Sequence, residues 1–175
     1  MFTATGIVDF PWRFRFSFIS TVSSRPPFTA QMSGLDLNGD GTINDVLPGT
    51  EWNELNRGVD EAEIVGIVDE FNRNLAGGQT PTGQVIRPVT LPAQFQCGDT
   101  LYSQDLRLTR TFPLTERFTL LVLGEVFNVF NVANLSGYNF NLLEPQSFGQ
   151  PARRITQVFG SGGPRAFQIG ARFSF

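Results

Sequence analysis

The chain has 175 residues, and its longest apolar run is the four from Leu120 to Leu123, so a helical membrane span, which needs about 20, is excluded. All thirteen basic residues are arginine and there is no histidine, which removes Ser-His-Asp triads, Cys-His pairs and histidine metal sites; the single Cys97 excludes an intrachain disulfide and a CxxC clip. A formal net charge of −3 argues against a nucleic-acid partner, which calls for a basic face.

The first predicted element is a strand over residues 2–10, where Phe2, Ala4, Gly6, Val8 and Phe10 alternate with Thr3, Thr5, Ile7 and Asp9. Period two is the strand signature, because successive side chains leave opposite faces of the pleat. After a tight turn at Phe10-Pro11, residues 12–23 repeat the pattern. Trp12, Phe14, Phe16 and Phe18 point one way; Arg13, Arg15 and Ser17 point the other.

A long connection, 24–101, follows. Ten acidic residues between Gly34 and Glu70 meet one base, Arg57, so that window carries −9 and the rest of the chain +6. Within it, Asp36, Asn38, Asp40, Asn44 and Asp45 surround Gly39 and Gly41 with the alternating oxygens of a calcium loop. Position twelve of an EF-hand would be a carboxylate and here is Leu47, so the candidate Ca2+ site is a tighter loop, weighed against a solvated Asx turn. Asp60 to Leu75 reads as an amphipathic helix with Ile64, Ile67, Val68, Phe71 and Leu75 on one stripe. Asp60 with Glu63 supplies a capping box, and Gly77-Gly78 the stop. Trp52 with Arg57 is read as packing rather than as a ligand contact.

Strands over 102–112 and 117–130 come next, joined by Pro113-Leu114-Thr115-Glu116, then a second long connection, 131–163, and a final strand, 164–175. Arg165, Phe167, Ile169, Ala171, Phe173 and Phe175 form one row of that strand and Ala166, Gln168, Gly170, Arg172 and Ser174 the other. Short turns and long loops therefore alternate, as in bacterial outer-membrane barrels. In a compact soluble domain a structureless connection as long as 24–101 would count against the strand assignment. Glu125 and Asp105 could be read as paired carboxylates, but polar residues on the wet side of two strands explain them better. No nucleophile–base pair emerges, and the chain is read as no enzyme.

The C-terminal Gln168-x-Gly170-x-x-Phe173-x-Phe175 resembles the assembly signal that outer-membrane proteins present to the barrel-assembly machinery. An open strand edge offers its backbone for β-augmentation, and terminal aromatics suit the interface. Further stretches stand in family order. They are Asp9-Phe-Pro-Trp12, Ser24-Arg-Pro-Pro-Phe-Thr29, the Asp36–Asp45 loop, Asp105-Leu-Arg-Leu-Thr-Arg110, Glu125-Val-Phe-Asn-Val-Phe-Asn131, Phe148-Gly-Gln150 and Gly163–Phe175.

Together these resemble the C-terminal end of TonB-dependent outer-membrane receptors of the Oar-like, carboxypeptidase-regulatory-like group. The resemblance implies a barrel of about 22 strands with a plugged lumen, nutrient uptake driven by the TonB complex, and a place in the bacterial outer membrane. The expected fold is thus all-β: about five strands of an antiparallel up-and-down transmembrane barrel with long extracellular loops, one holding a short helix. Trp12, Phe14, Phe16, Phe18, Phe167, Ile169 and Phe173 are expected to face lipid. Five strands cannot close a barrel, since the smallest have about 8, and Met1-Phe-Thr-Ala-Thr5 lacks the features of a signal peptide. The expectation is a fragment, with the plug and the TonB contacts upstream and an extracellular substrate captured by the loops. The alternative is a soluble secreted β-rich calcium-binding or adhesin-like module.

Overall fold

The computed structural model describes residues 1–155 and 162–175. In chain order the elements are β1 (Phe2–Phe10), a 3-10 turn (Pro11–Arg13), β2 (Phe14–Ser23), β3 (Gln31–Ser33), β4 (Asn44–Val46), α1 (Glu61–Asn74), β5 (Leu101–Pro113), β6 (Thr119–Phe127), β7 (Leu135–Tyr138), β8 (Pro151–Arg154) and β9 (Ala166–Ser174). They fall into two compact units. One comprises Met1–Ser24, Thr100–Ser136 and Arg153–Phe175; the other comprises Arg25–Asp99 and Gly137–Ala152. Of the expected 131–163 connection, residues 156–161 lie outside the described residues.

The first unit is an open antiparallel sheet in the order β1-β2-β5-β6-β9. Every neighbouring pair is antiparallel, so the five predicted strands form a meander. One predicted boundary fails for a local reason. Pro11 cannot donate to a ladder, and Trp12 and Arg13 take left-handed backbone angles (φ 61° and 63°) in the turn. Trp12 therefore leaves the phenylalanine row it was assigned to and stands 79% exposed at the turn, while the second strand starts at Phe14. The predicted 117–130 strand is also shorter. Leu114 and Thr115 donate their N–H groups to the Phe118 carbonyl and close the preceding turn, and Asn128, at φ 46°, ends the strand at Phe127.

The second unit shows that the long connections are folded in their own right. Fifteen buried apolar residues make its core, among them Phe28, Met32, Leu47, Leu55, Ile64, Phe71, Leu142 and Phe148. Helix α1 carries the predicted capping box: the Asp60 carboxylate accepts from the Ala62 and Glu63 N–H groups, and Glu63 Oε2 accepts from Asp60 N. Ile64, Val68 and Phe71 are buried as the stripe required. Leu75 is not: the helix ends at Asn74, and Leu75, the C-cap residue, turns its side chain outward, 38% exposed. Strands β3 and β4 pair in a short ribbon, as do β7 and β8.

Candidate functional site

The sheet unit sorts its side chains by face. Cross-strand register places Val8, Phe16, Leu108, Gly124 and Ile169 in one row and Gly6, Phe18, Leu106, Val126 and Phe167 in the next. A third row holds Phe10, Phe14, Arg110, Val122 and Ala171, and a fourth Phe112, Leu120 and Phe173. Apart from Arg110, all four rows are apolar, and they share one face of the pleat. Exposure on this face is greatest at the edge strand, where Phe167 is 71% exposed and Ile169 86%, while Phe14, Phe16 and Phe18 are half-buried. Where a ring needs room, glycine gives it. A Cβ on Gly6 would lie 2.4 Å from Phe18 Cε1, so the Phe18 ring covers the bare Gly6 backbone.

The opposite face is polar at its centre. Ile7, Ser17, Arg107, Glu125 and Gln168 form one row, and Asp9 pairs with Arg15 in another. Arg15 Nε donates to Asp9 Oδ1 at 2.7 Å, and Arg107 Nε to Glu125 Oε1 at 2.5 Å. Glu125 and Asp105 are not paired with each other. Asp105 Oδ1 accepts instead from Ser103 Oγ (2.9 Å) and from Asn128 N (2.8 Å). A hollow of about 770 Å3 is lined by Thr5, Ser17, Asp105, Arg107, Glu125 and Gln168 together with Phe18 and Leu106 of the apolar rows. Ile7, Ile19, Leu121, Leu123 and Phe127 also lie on the polar face, so the separation of polar from apolar is incomplete.

Burial in the two units is inverted. Among the described residues, the buried side chains of the sheet unit are Thr21, Ser103, Asp105, Asn128 and Asn134, all polar, and every buried apolar side chain belongs to the other unit.

Two of those buried residues form a lock that the sequence reading missed. Asn128 Nδ2 donates to the Val132 and Gly163 carbonyls (2.9 and 2.6 Å), and its Oδ1 accepts from Val132 N (3.0 Å). Asn134 Nδ2 donates to the Tyr102 and Gly162 carbonyls, and its Oδ1 accepts from Tyr102 N. The signal was present in the asparagines at 128, 131 and 134, a residue type that tolerates left-handed angles and bonds its own turn. Asn131 also takes a positive φ, 52°.

The C-terminal strand β9 is an edge of the sheet. Gln168 and Gly170 lie on the polar face, opposite Glu125 and Leu123, and Phe173 on the apolar one. Phe173 stacks on Phe118 (5.5 Å between centroids) and touches Phe175 (6.4 Å), which is 94% exposed. With Phe10, Phe14 and Phe112, these rings concentrate at the end of the sheet that carries the tight turns.

The acidic loop gathers four of its five candidate ligands around its own backbone. Asp36 accepts from the Gly39 and Gly41 N–H groups (2.7 and 3.1 Å), and Asp45 Oδ2 from those of Leu37 and Asn38 (2.6 and 3.2 Å). Asn38 Oδ1 accepts from Asp40 N, and Asp40 Oδ1 accepts from the N–H and hydroxyl of Thr42, both at 2.7 Å. These bonds from Thr42, joined by one from Asn38, hold the Asp40 carboxyl below its ordinary value. Asn44 begins β4, where it pairs with Ser33. Among the described residues no group of three or more Asp, Glu, Cys or His is placed to hold a metal ion.

Trp52 does not pack as expected. It is 62% exposed, at the rim of a hollow of about 410 Å3 beside Asp40, Thr42 and Asp45. Cys97 is fully buried, and desolvation pushes its thiol up to about 12. Among the described residues no helix is long and apolar enough to cross a membrane, which says nothing of a β-barrel. No family model, curated protein or solved structure matches the chain.

Proposed function

We propose that the chain is the C-terminal wall and outer loops of a TonB-dependent outer-membrane receptor for active nutrient uptake. The observation that carries this reading is the inverted burial of the sheet unit, with polar groups inside and bare apolar rows outside. Water would penalise that arrangement at about 25 cal/mol per Å2 of apolar surface left uncovered, whereas hydrocarbon would not. Strand length agrees as well. Strands β1, β6 and β9 run nine residues each and β2 ten, the length with which a tilted strand crosses a bilayer, about 9–11 residues.

In this role the segment is passive. Strand ladders at the β1 and β9 edges join further strands, the Gln168–Phe175 signal meets the barrel-assembly machinery, and the second unit forms part of the vestibule that meets an extracellular substrate. Energy comes from the TonB complex through residues outside this segment.

The test is a solvent comparison. The chain is refolded with and without dodecyl maltoside, and Trp12 and Trp52 emission, size and protease resistance are followed. The reading expects a defined β-rich species only with detergent. A monodisperse folded species in plain buffer refutes it and favours a secreted soluble module.

A further inference from the structure

We propose that Arg110 is a binding site for the phosphate group of a phospholipid, in the leaflet on the tight-turn side of the sheet. The inference rests on the outer-membrane reading above and adds a ligand that the reading does not require. Arg110 is the one charged residue in the four apolar rows. Its Cζ lies 4.7 Å from the centroid of the Phe14 ring and 4.5 Å from that of Phe112, so two aromatic faces hold the guanidinium. The described ion pairs join Asp9–Arg15, Arg25–Glu61 and Arg107–Glu125 and leave Arg110 out. Its Nε is buried and has no hydrogen-bond partner.

With Nε closed off, a ligand can reach only the terminal Nη groups of Arg110, and the geometry limits what can supply an acceptor there. The guanidinium sits on the lipid side, so the acceptor comes from the bilayer. Arg110 is three residues before Pro113, the end of β5, about 10 Å along the strand. Charge on the lipid side of a barrel is tolerated near an interface and costly at mid-depth, and a long arginine stem extends the reach toward the headgroups. At that depth the available acceptor is a phosphodiester, whose two free oxygens match the planar fork of an arginine. Phe14 and Phe112, with the guanidinium within 5 Å of both ring centroids, restrict its rotamers.

The test uses the full nitrogen-15-labelled chain in two micelles, dodecylphosphocholine, which carries a phosphodiester, and dodecyl maltoside, which carries none. The guanidinium N–H signals of Arg110 are assigned by their loss in Arg110→Lys. Binding is expected to slow hydrogen exchange at that group by at least about tenfold in dodecylphosphocholine relative to maltoside, the effect of one charge-assisted hydrogen bond. The Arg15 group, bonded to Asp9 on the other face, should exchange equally in both. If the chain folds in both micelles and Arg110 exchanges equally, or if turn-exposed Arg117 slows as much as Arg110, the phosphate site is refuted and the membrane reading stands. A chain that folds without detergent and ignores both micelles refutes the membrane reading, and the site with it.

Discussion

Asn128 lies fully buried where β6 leaves the sheet, and removing its side chain should unfasten the chain there. Asn128→Gly keeps the left-handed angle of 46° accessible while deleting three side-chain hydrogen bonds, those to the Val132 carbonyl, the Gly163 carbonyl and the Val132 N–H. The Gly163 bond is buried, and orphaning that carbonyl costs about 1–3 kcal/mol; the two part-buried bonds at Val132 contribute about 0.5–1.5 kcal/mol each. A local loss of about 2–6 kcal/mol follows. Asn128→Ala should lose about 1 kcal/mol more, because a Cβ is strained in the left-handed region. The assay is amide exchange at Val132 and at Tyr102, whose N–H reports on the neighbouring Asn134 lock. Since 1.4 kcal/mol is tenfold, protection at Val132 should fall by at least about 30-fold in Asn128→Gly, with a smaller change at Tyr102. Unchanged protection at Val132 in the glycine variant would show that these bonds do not hold the loop and that the reasoning is wrong.

Four further outcomes test three other parts of the chain. Gly6→Ala should destabilise the sheet by about 1–3 kcal/mol through overpacking against Phe18, and the loss should vanish in a Phe18→Ala background; equal losses in both backgrounds would refute the ring-over-glycine contact. With its thiol pushed from 9.0 to about 12 by burial, Cys97 should react with maleimide at pH 8 about 1,000-fold more slowly in the folded chain than in urea. Because the unfolded thiol ionises first, its contribution to stability should also decline as the pH rises from 9.0 toward about 12, a decline absent in Cys97→Ala. The Glu144 carboxylate, held below its ordinary value by bonds from Asn139, Ser147 and Asn141, should stabilise its loop fully above about pH 4.5 and lose hold as pH falls through the lowered value. The Asn139 side-chain amide signal should follow that titration and stay flat in Glu144→Gln.

The hollow of the sheet invites comparison with its rim. Glu125 is nearly buried beside a half-exposed Arg107, whereas Asp9 and Arg15 are both open. An exposed pair of the second kind contributes little to stability; its place on the polar face is better understood as keeping a charged, wettable surface where the apolar rows are absent.

Alternation of Phe14, Phe16 and Phe18 with Arg15 and Ser17, and of the final strand's two rows, was enough to fix strand identity, antiparallel order and the apolar or polar sense of each face. Period two leaves little freedom once a turn is placed. The capping box at Asp60 was equally legible, because its partners lie three residues apart. Where local backbone angles took over, the pattern misled. Trp12 continues the alternation in sequence but sits in a turn that Pro11 forces, and Leu75 continues the helical stripe one residue past the helix.

The acidic loop shows the limit most plainly. Oxygen spacing left a cation loop and an Asx turn both open; which backbone groups those oxygens meet depends on how Gly39 and Gly41 bend the chain, and that bend brings N–H groups of the loop to Asp36 and Asp45. Contacts between residues far apart in the chain were out of reach altogether: Asn128 to Gly163, Asn134 to Tyr102, and Arg110 between Phe14 and Phe112. The sequence by itself determined the five long strands, the helix and the two chemical faces, because each follows from neighbours within a few residues, but not the short β3, β4, β7 and β8. Tertiary structure alone decided that the long connection folds around its own apolar core while the sheet buries only polar groups, since burial is a property of what the whole chain brings together.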